Sequence, residues 1–288
     1  MMEMERVLRL LPTKIRRALE SENPETVDEL RLRAGQAPSV VRALREYPLL
    51  WYPKDASVSR QELEDIVLAA SGCSVYSVQN QLAAGFLPLP GGHRLGICGT
   101  VVGEQGRILS IRDVSSVCIR FARMMETDTS ALSPYAEKDL LVIGPPGSGK
   151  TTLLRCLIRM ISESGRRVAV ADERGEIASA YEAAAQFPLG PCTDVMTGGA
   201  KGQTMLLLLR AMTPAVMAVD EITAPEDLLA IRQVSYCGVR LLATAHAQGV
   251  EELYARPLYR DLLELGIFHT VIVLQPDRSF TVEEVTGC

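Results

Sequence analysis

Along the second half of the chain, short unbroken apolar runs alternate with stretches whose apolar residues recur at helical spacing. Leu140-Leu141-Val142-Ile143 is such a run, ending in glycine, and Val168–Ala171, Ala215–Val219, Arg240–Thr244 and Thr270–Leu274 repeat the pattern. Strands buried on both faces read as continuous hydrophobic runs, because neither side of the pleat meets water. Between the first two runs, Leu153, Leu154, Leu157, Met160 and Ile161 mark one face of a helix that Gly165 closes. Parallel strands joined by helices of this length require right-handed crossovers, so residues 131–288 are expected to form an α/β domain with helices on both faces of a parallel sheet.

Residues 1–130 read differently. Leu30 and Leu32 alternate with polar neighbours, as do Val117, Ile119 and Phe121, which predicts half-buried strands. Ser59 and Glu62 are spaced as a capping box for a helix running to about Ala70. Pro90-Gly91-Gly92 separates two strand-like segments, Phe86–Leu89 and Arg94–Val102, as a hairpin would. A smaller α+β domain is expected, with a boundary in the polar, Ser/Thr-containing stretch Met124–Pro134.

The chemistry gathers where the apolar runs end. Gly144-Pro145-Pro146-Gly147-Ser148-Gly149-Lys150-Thr151 lies between a strand and a helix, the context in which Gly-x-x-x-x-Gly-Lys-Thr is a phosphate-binding loop. Glycines there let backbone N–H groups approach phosphate oxygens, and the helix N-terminus adds its positive end. Lys150 is expected on the β- and γ-phosphates of ATP, and the Thr151 hydroxyl, next to Thr152, on Mg2+. The run at 215–219 ends in Asp220-Glu221, two carboxylates that a strand's C-terminal edge would not carry without a cation or a reaction to serve. Asp220 is read as the second Mg2+ group and Glu221 as the residue that orients or deprotonates an attacking water. His246, just beyond the run at 240–244, and the carboxylates of Asp172-Glu173-Arg174-Gly175-Glu176 fall at the same edge. His93 and His269 lack that placement and are read as structural or exposed.

Composition narrows the partners. With 30 Lys+Arg against 35 Asp+Glu and 5% aromatic residues, the chain offers neither the basic surface nor the stacking platforms of a nucleic-acid track. The seven cysteines include no Cys-x-x-Cys pair, which argues against a zinc ribbon. No apolar run approaches the ~20 residues of a membrane span, and the acidic N-terminus is unlike a signal peptide. A cytoplasmic protein is expected.

The segments 144–155, 172–177, Val219-Asp220-Glu221-Ile222 and 243–247, with Glu29–Arg33 and Gly91–Ile97, closely resemble the stage III sporulation protein AA family. That family is similar to the type II and type IV secretion ATPases, which are RecA-like hexameric rings. The resemblance implies an Mg2+-dependent ATPase, a homo-hexamer working at the mother-cell face of the outer forespore membrane beneath membrane-embedded sister proteins. It also implies an acidic box at Glu173 and Glu176, a histidine box at His246, a nucleotide-site arginine at Arg210, and an arginine finger among Arg112, Arg120 and Arg123. Two features depart from secretion ATPases. The acidic box reads Asp-Glu-Arg-Gly-Glu rather than Glu-Asp-Pro-x-Glu, and the four-cysteine zinc module is missing. A motor that powers a channel complex is the leading reading. An ATP-gated scaffold with slow hydrolysis and a RecA-like translocase are the alternatives.

Overall fold

A computed structural model describes residues 2–72, 81–82, 85–104, 107–123 and 129–285. Residues 124–128 of the expected linker, Cys73 and Cys288 lie outside the described residues. The chain divides into two compact units, Met1–Arg123 with Ser179–Gln186, and Met124–Ala178 with Phe187–Cys288.

In the first unit, six strands form an antiparallel sheet in the order β3-β2-β1-β6-β5-β4. They are β1 (Glu29–Arg33), β2 (Ser39–Arg42), β3 (Arg45–Pro48), β4 (Phe86–Pro88), β5 (Arg94–Glu104) and β6 (Arg107–Arg120). Leu30 and Leu32 of β1 and Val117 and Ile119 of β6 point to one face and are fully buried or nearly so, as their alternation predicts. Helices α1 (Met2–Leu8), α2 (Thr13–Ser21) and α3 (Arg60–Ala70) cover that face through Val7, Ile15, Leu19, Leu63 and Ile66. The α3 capping box is present: Glu62 N–H donates to Ser59 Oγ at 3.2 Å, and Ser59 N–H donates to Glu62 Oε2 at 2.8 Å.

His93 is structural. Its ring is buried, meets Phe121 edge-on with centroids 5.6 Å apart, and accepts the Ala122 N–H at Nδ1 (2.9 Å). Gly91, with φ 73°, turns the chain where a Cβ would stand 2.8 Å from Glu3 Cβ. The sequence gives no sign that Ser179–Gln186 belongs to this unit. Its residues are held there by Arg6, 3.7 Å from Glu182 and 5.7 Å from the centre of the Tyr181 ring, and by the Gly91 N–H donating to Gln186 Oε1 at 2.8 Å.

The second unit is a seven-stranded sheet in the order β13-β12-β7-β11-β10-β8-β9. The strands are β7 (Leu140–Ile143), β8 (Val168–Asp172), β9 (Thr193–Thr197), β10 (Val216–Val219), β11 (Arg240–Ala245), β12 (Thr270–Leu274) and β13 (Phe280–Glu284). Every neighbouring pair is parallel except β12 and β13, so an antiparallel edge strand modifies the expected all-parallel sheet. The five predicted runs become β7, β8, β10, β11 and β12, each buried over nearly its whole length.

Alternate residues of these strands feed two cores, one on each face. Leu141, Ile143, Met217 and Val219 face α5 (Lys201–Met212), α6 (Pro225–Tyr236), α7 (Val250–Ala255) and α8 (Pro257–Glu264). Leu140, Val142, Val216 and Ala218 face α4 (Lys150–Glu163), which presents Leu153, Leu154, Leu157, Ile158 and Ile161. All the strand ends that carry chemistry therefore emerge on one edge.

Candidate nucleotide site

The loop from Gly144 to Gly149 connects β7 to α4. Gly144 has φ 159°, and a Cβ there would lie 2.6 Å from Ser148 Oγ and 2.8 Å from the Leu274 carbonyl, so only glycine closes the loop this tightly. Gly149 begins α4 in the left-handed region, φ 100°, and no side chain caps the helix. The first turn of α4 thus keeps backbone N–H groups available to an anion. Ser148 Oγ is buried and has no hydrogen-bond partner among the described residues. A glycine cradle, an uncapped helix end and an orphaned hydroxyl fit a bound polyphosphate. Pro145, Pro146 and Gly147 form the outer rim, and Thr152 is half-buried as the third residue of the helix.

Lys150 is 5% exposed. Its Nζ donates to the carbonyls of Gly144 (2.9 Å) and Pro145 (3.0 Å) and stands 3.0 Å from His246 Nδ1. Burial lowers its pKa, while Glu221 and Asp220 pull the other way. A lysine makes only donors, so His246 Nδ1 is the acceptor and Nε2 carries the proton toward Glu221 Oε1, 2.6 Å away. The imidazole bridges the lysine of the glycine loop and the Glu221 carboxylate.

Asp220 collects donors from three elements. Thr151 Oγ1 donates to Oδ2 at 2.9 Å, and the Glu221 N–H donates to Oδ1 at 3.1 Å. The Thr244 hydroxyl of β11 also donates to Oδ1. Glu221 N–H lies 2.8 Å from Thr244 Oγ1 and the Ile222 N–H donates to the Thr244 carbonyl, so β11 pins the turn after β10. Glu221 itself adopts φ 45°, a left-handed conformation uncommon for a side chain of its size. Its Oε2 accepts from Arg174 Nη1 at 2.9 Å.

A shallow cleft opens at this edge, lined by Asp172, Glu173, Arg174, Glu176, Lys201, Asp220 and Glu221. Asp172 ends β8 and folds the acidic loop around itself, accepting the N–H groups of Glu176 (2.7 Å), Ile177 (3.1 Å) and Ala178 (2.8 Å). Burial raises its pKa against the pull of those three N–H groups. Arg155 of α4 holds the same loop by donating to the carbonyls of Glu176 (2.7 Å) and Ile177 (2.9 Å), with its guanidinium 3.9 Å from the centre of the Phe187 ring.

Lys150, Thr151, Asp220, Glu221, His246, Glu173 and Glu176 are thus brought to one edge. Arg210 is not. It lies in the last turn of α5, exposed, and its Nε donates to the Leu206 carbonyl of its own helix. Lys201 at the start of α5 is at the cleft, and nine residues of helix carry Arg210 about 14 Å back toward the opposite edge.

The three arginines of the first unit differ in their partners. Arg120 donates twice to Glu29 Oε1 (3.1 and 3.0 Å), Arg123 pairs with Asp28 at 2.9 Å, and Arg112 is exposed with no ion pair among the described residues. Sequence reasoning missed Lys201 and Arg155. Arg155 lies within the segment 144–155, but its role, like that of Lys201, depends on which loop the topology brings beside it.

This largely parallel sheet, with a glycine loop and paired carboxylates on one edge, shares its fold with solved bacterial motor structures. The chain superposes on the ATPase DotB of Legionella pneumophila with a TM-score of 0.59, at 16% identity, over 94% of this chain and 81% of that one. On the pilus retraction motor PilT, solved with bound ADP, the TM-score is 0.60 at 15% identity, over 94% and 82%. In sequence it is 32% identical over 284 residues to the stage III sporulation protein AA of Bacillus subtilis strain 168, covering 94% of this chain and 91% of that protein. The sequence profile of the family described as "Sporulation stage III, protein AA" matches residues 1–287, and the chain belongs to that family. No described helix is long and apolar enough to cross a membrane.

Proposed function

We propose that this protein binds ATP with Mg2+ and hydrolyses it to ADP and phosphate, and that it does so as a ring, six subunits by analogy with secretion motors. The observation that carries the reading is the continuous chain of contacts from Lys150 through His246 to Glu221, beside the Thr151–Asp220 pair. Lys150 and the N–H groups of the loop would hold the β- and γ-phosphates, and Thr151 and Asp220 would hold Mg2+. The bound cation supplies counter-charge for the phosphates. Glu221 orients and deprotonates the attacking water, and His246 fixes the direction of its carboxylate. Thr244 and the Glu221 N–H keep Asp220 aimed at Thr151.

An arginine from the N-terminal unit, of the same subunit or a neighbour, completes the site. Arg112 is favoured over Arg120 and Arg123 because, among the described residues, its guanidinium has no ion-pair partner. Such a cation is worth about 10³ to 10⁵ in rate. The ring would act as a peripheral motor on a membrane-embedded export complex of sporulation, at the mother-cell face of the outer forespore membrane.

The test is the mass of wild type and Glu221→Gln in solution with Mg2+-ATP, together with turnover as a function of protein concentration. Rings that form with nucleotide and turnover that rises with concentration support the motor. A fully active monomer overturns the ring, and a Glu221→Gln variant that keeps its biological role favours an ATP-gated scaffold.

A further inference from the structure

Lys201 is a buried cation that no motif of the fold demands. It is 5% exposed and is the first residue of α5, a helix whose preceding residue, Ala200, offers no side-chain cap. A positive charge at that position faces the positive end of the helix dipole, an arrangement that costs stability. The side chain is therefore held by something else. Its Nζ donates to the backbone carbonyl of Glu221 and lies 3.6 Å from Asp227 Oδ2 and 3.8 Å from Glu173 Oε2.

Those three oxygens belong to different parts of the site. Glu173 is in the acidic loop and Asp227 is in the first turn of α6, where its Oδ2 also accepts the N–H groups of Thr223 and Ala224. The Glu221 carbonyl belongs to the residue held at φ 45°. A left-handed glutamate stays in place only where its surroundings over-determine it. Its N–H is fixed by Asp220 Oδ1 and Thr244 Oγ1, and its carbonyl is fixed by Lys201. Among the described residues, the carbonyl end of the residue thus depends on one side chain.

From this geometry we infer that Lys201 is the positioning residue for Glu221: it locks the left-handed backbone that aims the carboxylate into the cleft, and it ties that backbone to Glu173 of the acidic loop. This rests on the reading of Glu221 as the water-handling carboxylate. Lys201 acts through Glu221, its Nζ being taken up by the Glu221 carbonyl, Asp227 and Glu173.

The test compares wild type, Lys201→Met, Glu221→Gln and the double variant, measuring kcat and KM for ATP and the affinity of a fluorescent ATP analogue. Lys201→Met is expected to lower kcat by about 10- to 100-fold with affinity within about twofold, because a misplacement of about 1 Å at a reacting group costs that much in rate. In the Glu221→Gln background the same change should cost nothing further, since the residue it positions is already disabled. An additive loss in the double variant, or a fall in affinity as large as that in kcat, overturns the assignment. Lys201→Arg decides the matter if Lys201→Met does not fold. The bulkier guanidinium displaces the Glu221 carbonyl and lowers kcat at constant KM, whereas full activity would reduce Lys201 to a counter-charge. A wild type that binds but does not hydrolyse ATP would instead refute the ATPase reading itself.

Discussion

Thr151 and Asp220, 69 residues apart in the chain, are joined by a 2.9 Å hydrogen bond from the threonine hydroxyl to Asp220 Oδ2. The bond places the first turn of α4 against the end of β10, and Thr244 donates to the other carboxylate oxygen from β11. Three elements thus converge on one acidic group. Whatever binds between loop and carboxylates meets a site already assembled.

Asp220→Asn tests that convergence. A carboxylate accepts from all three donors, whereas an amide presents an NH2 group to at least one of them. The change should cost about 1–3 kcal/mol of stability, read as a lower melting temperature. ATP turnover should fall by roughly 10- to 100-fold. Raising the Mg2+ concentration should restore part of the turnover in Asp220→Asn but none in Lys150→Ala. If extra Mg2+ has no effect, Asp220 is not a cation group.

Ser148 separates stability from binding. Its buried hydroxyl lacks a partner among the described residues, and an unsatisfied polar group costs about 1–3 kcal/mol. Ser148→Ala should therefore leave the melting temperature of the nucleotide-free protein unchanged or higher. The same variant should bind a fluorescent ATP analogue more weakly, because in the proposed function the orphaned hydroxyl would donate to a phosphate. A loss of stability with unchanged affinity would contradict both halves of the argument.

His246 should matter to turnover and not to binding. It accepts from Lys150 at one ring nitrogen and donates to Glu221 at the other, so removing it frees the carboxylate but leaves the glycine loop intact. His246→Ala is expected to lower kcat by about 100-fold or more, within the range of a positioned acid–base group. Single-turnover rates and analogue affinity measured on the same preparation separate the two effects. Equal losses in both would make His246 a phosphate-binding group instead.

What the sequence revealed and what it hid follow from burial. Strands β7, β8, β10, β11 and β12 are covered on both faces, so each had to be an apolar run, and their ends had to carry the chemistry. Strand β9, Thr-Asp-Val-Met-Thr, is half-exposed at one edge, and β13, Phe-Thr-Val-Glu-Glu, is mostly exposed at the other. Neither has a run to read. The glycine loop was legible because its residues are contiguous. Lys201 and Arg155 work through contacts made only after the sheet assembles, and Arg210, though close to β10 in sequence, sits at the end of α5 away from this cleft.

The last prediction concerns the first unit and pH. Burial lowers the His93 pKa below its ordinary 6.5, with Glu3 pulling weakly the other way, and Nδ1 must stay unprotonated to accept the Ala122 N–H. The unfolded chain therefore binds a proton more readily than the native protein between the depressed native value and 6.5. Stability rises with pH across that interval, is complete above about 6.5, and is lost as the solution is acidified below it. In His93→Asn the amide oxygen can take the place of Nδ1 as acceptor, without titrating. The variant should be less stable than wild type at pH 7.5, because the edge contact with Phe121 is lost, by about 1 kcal/mol. Its melting temperature should nevertheless fall less steeply between about pH 6.5 and 5 than that of wild type, with His93 the titrating group removed. Parallel curves for the two proteins would show that His93 does not set this part of the acid sensitivity.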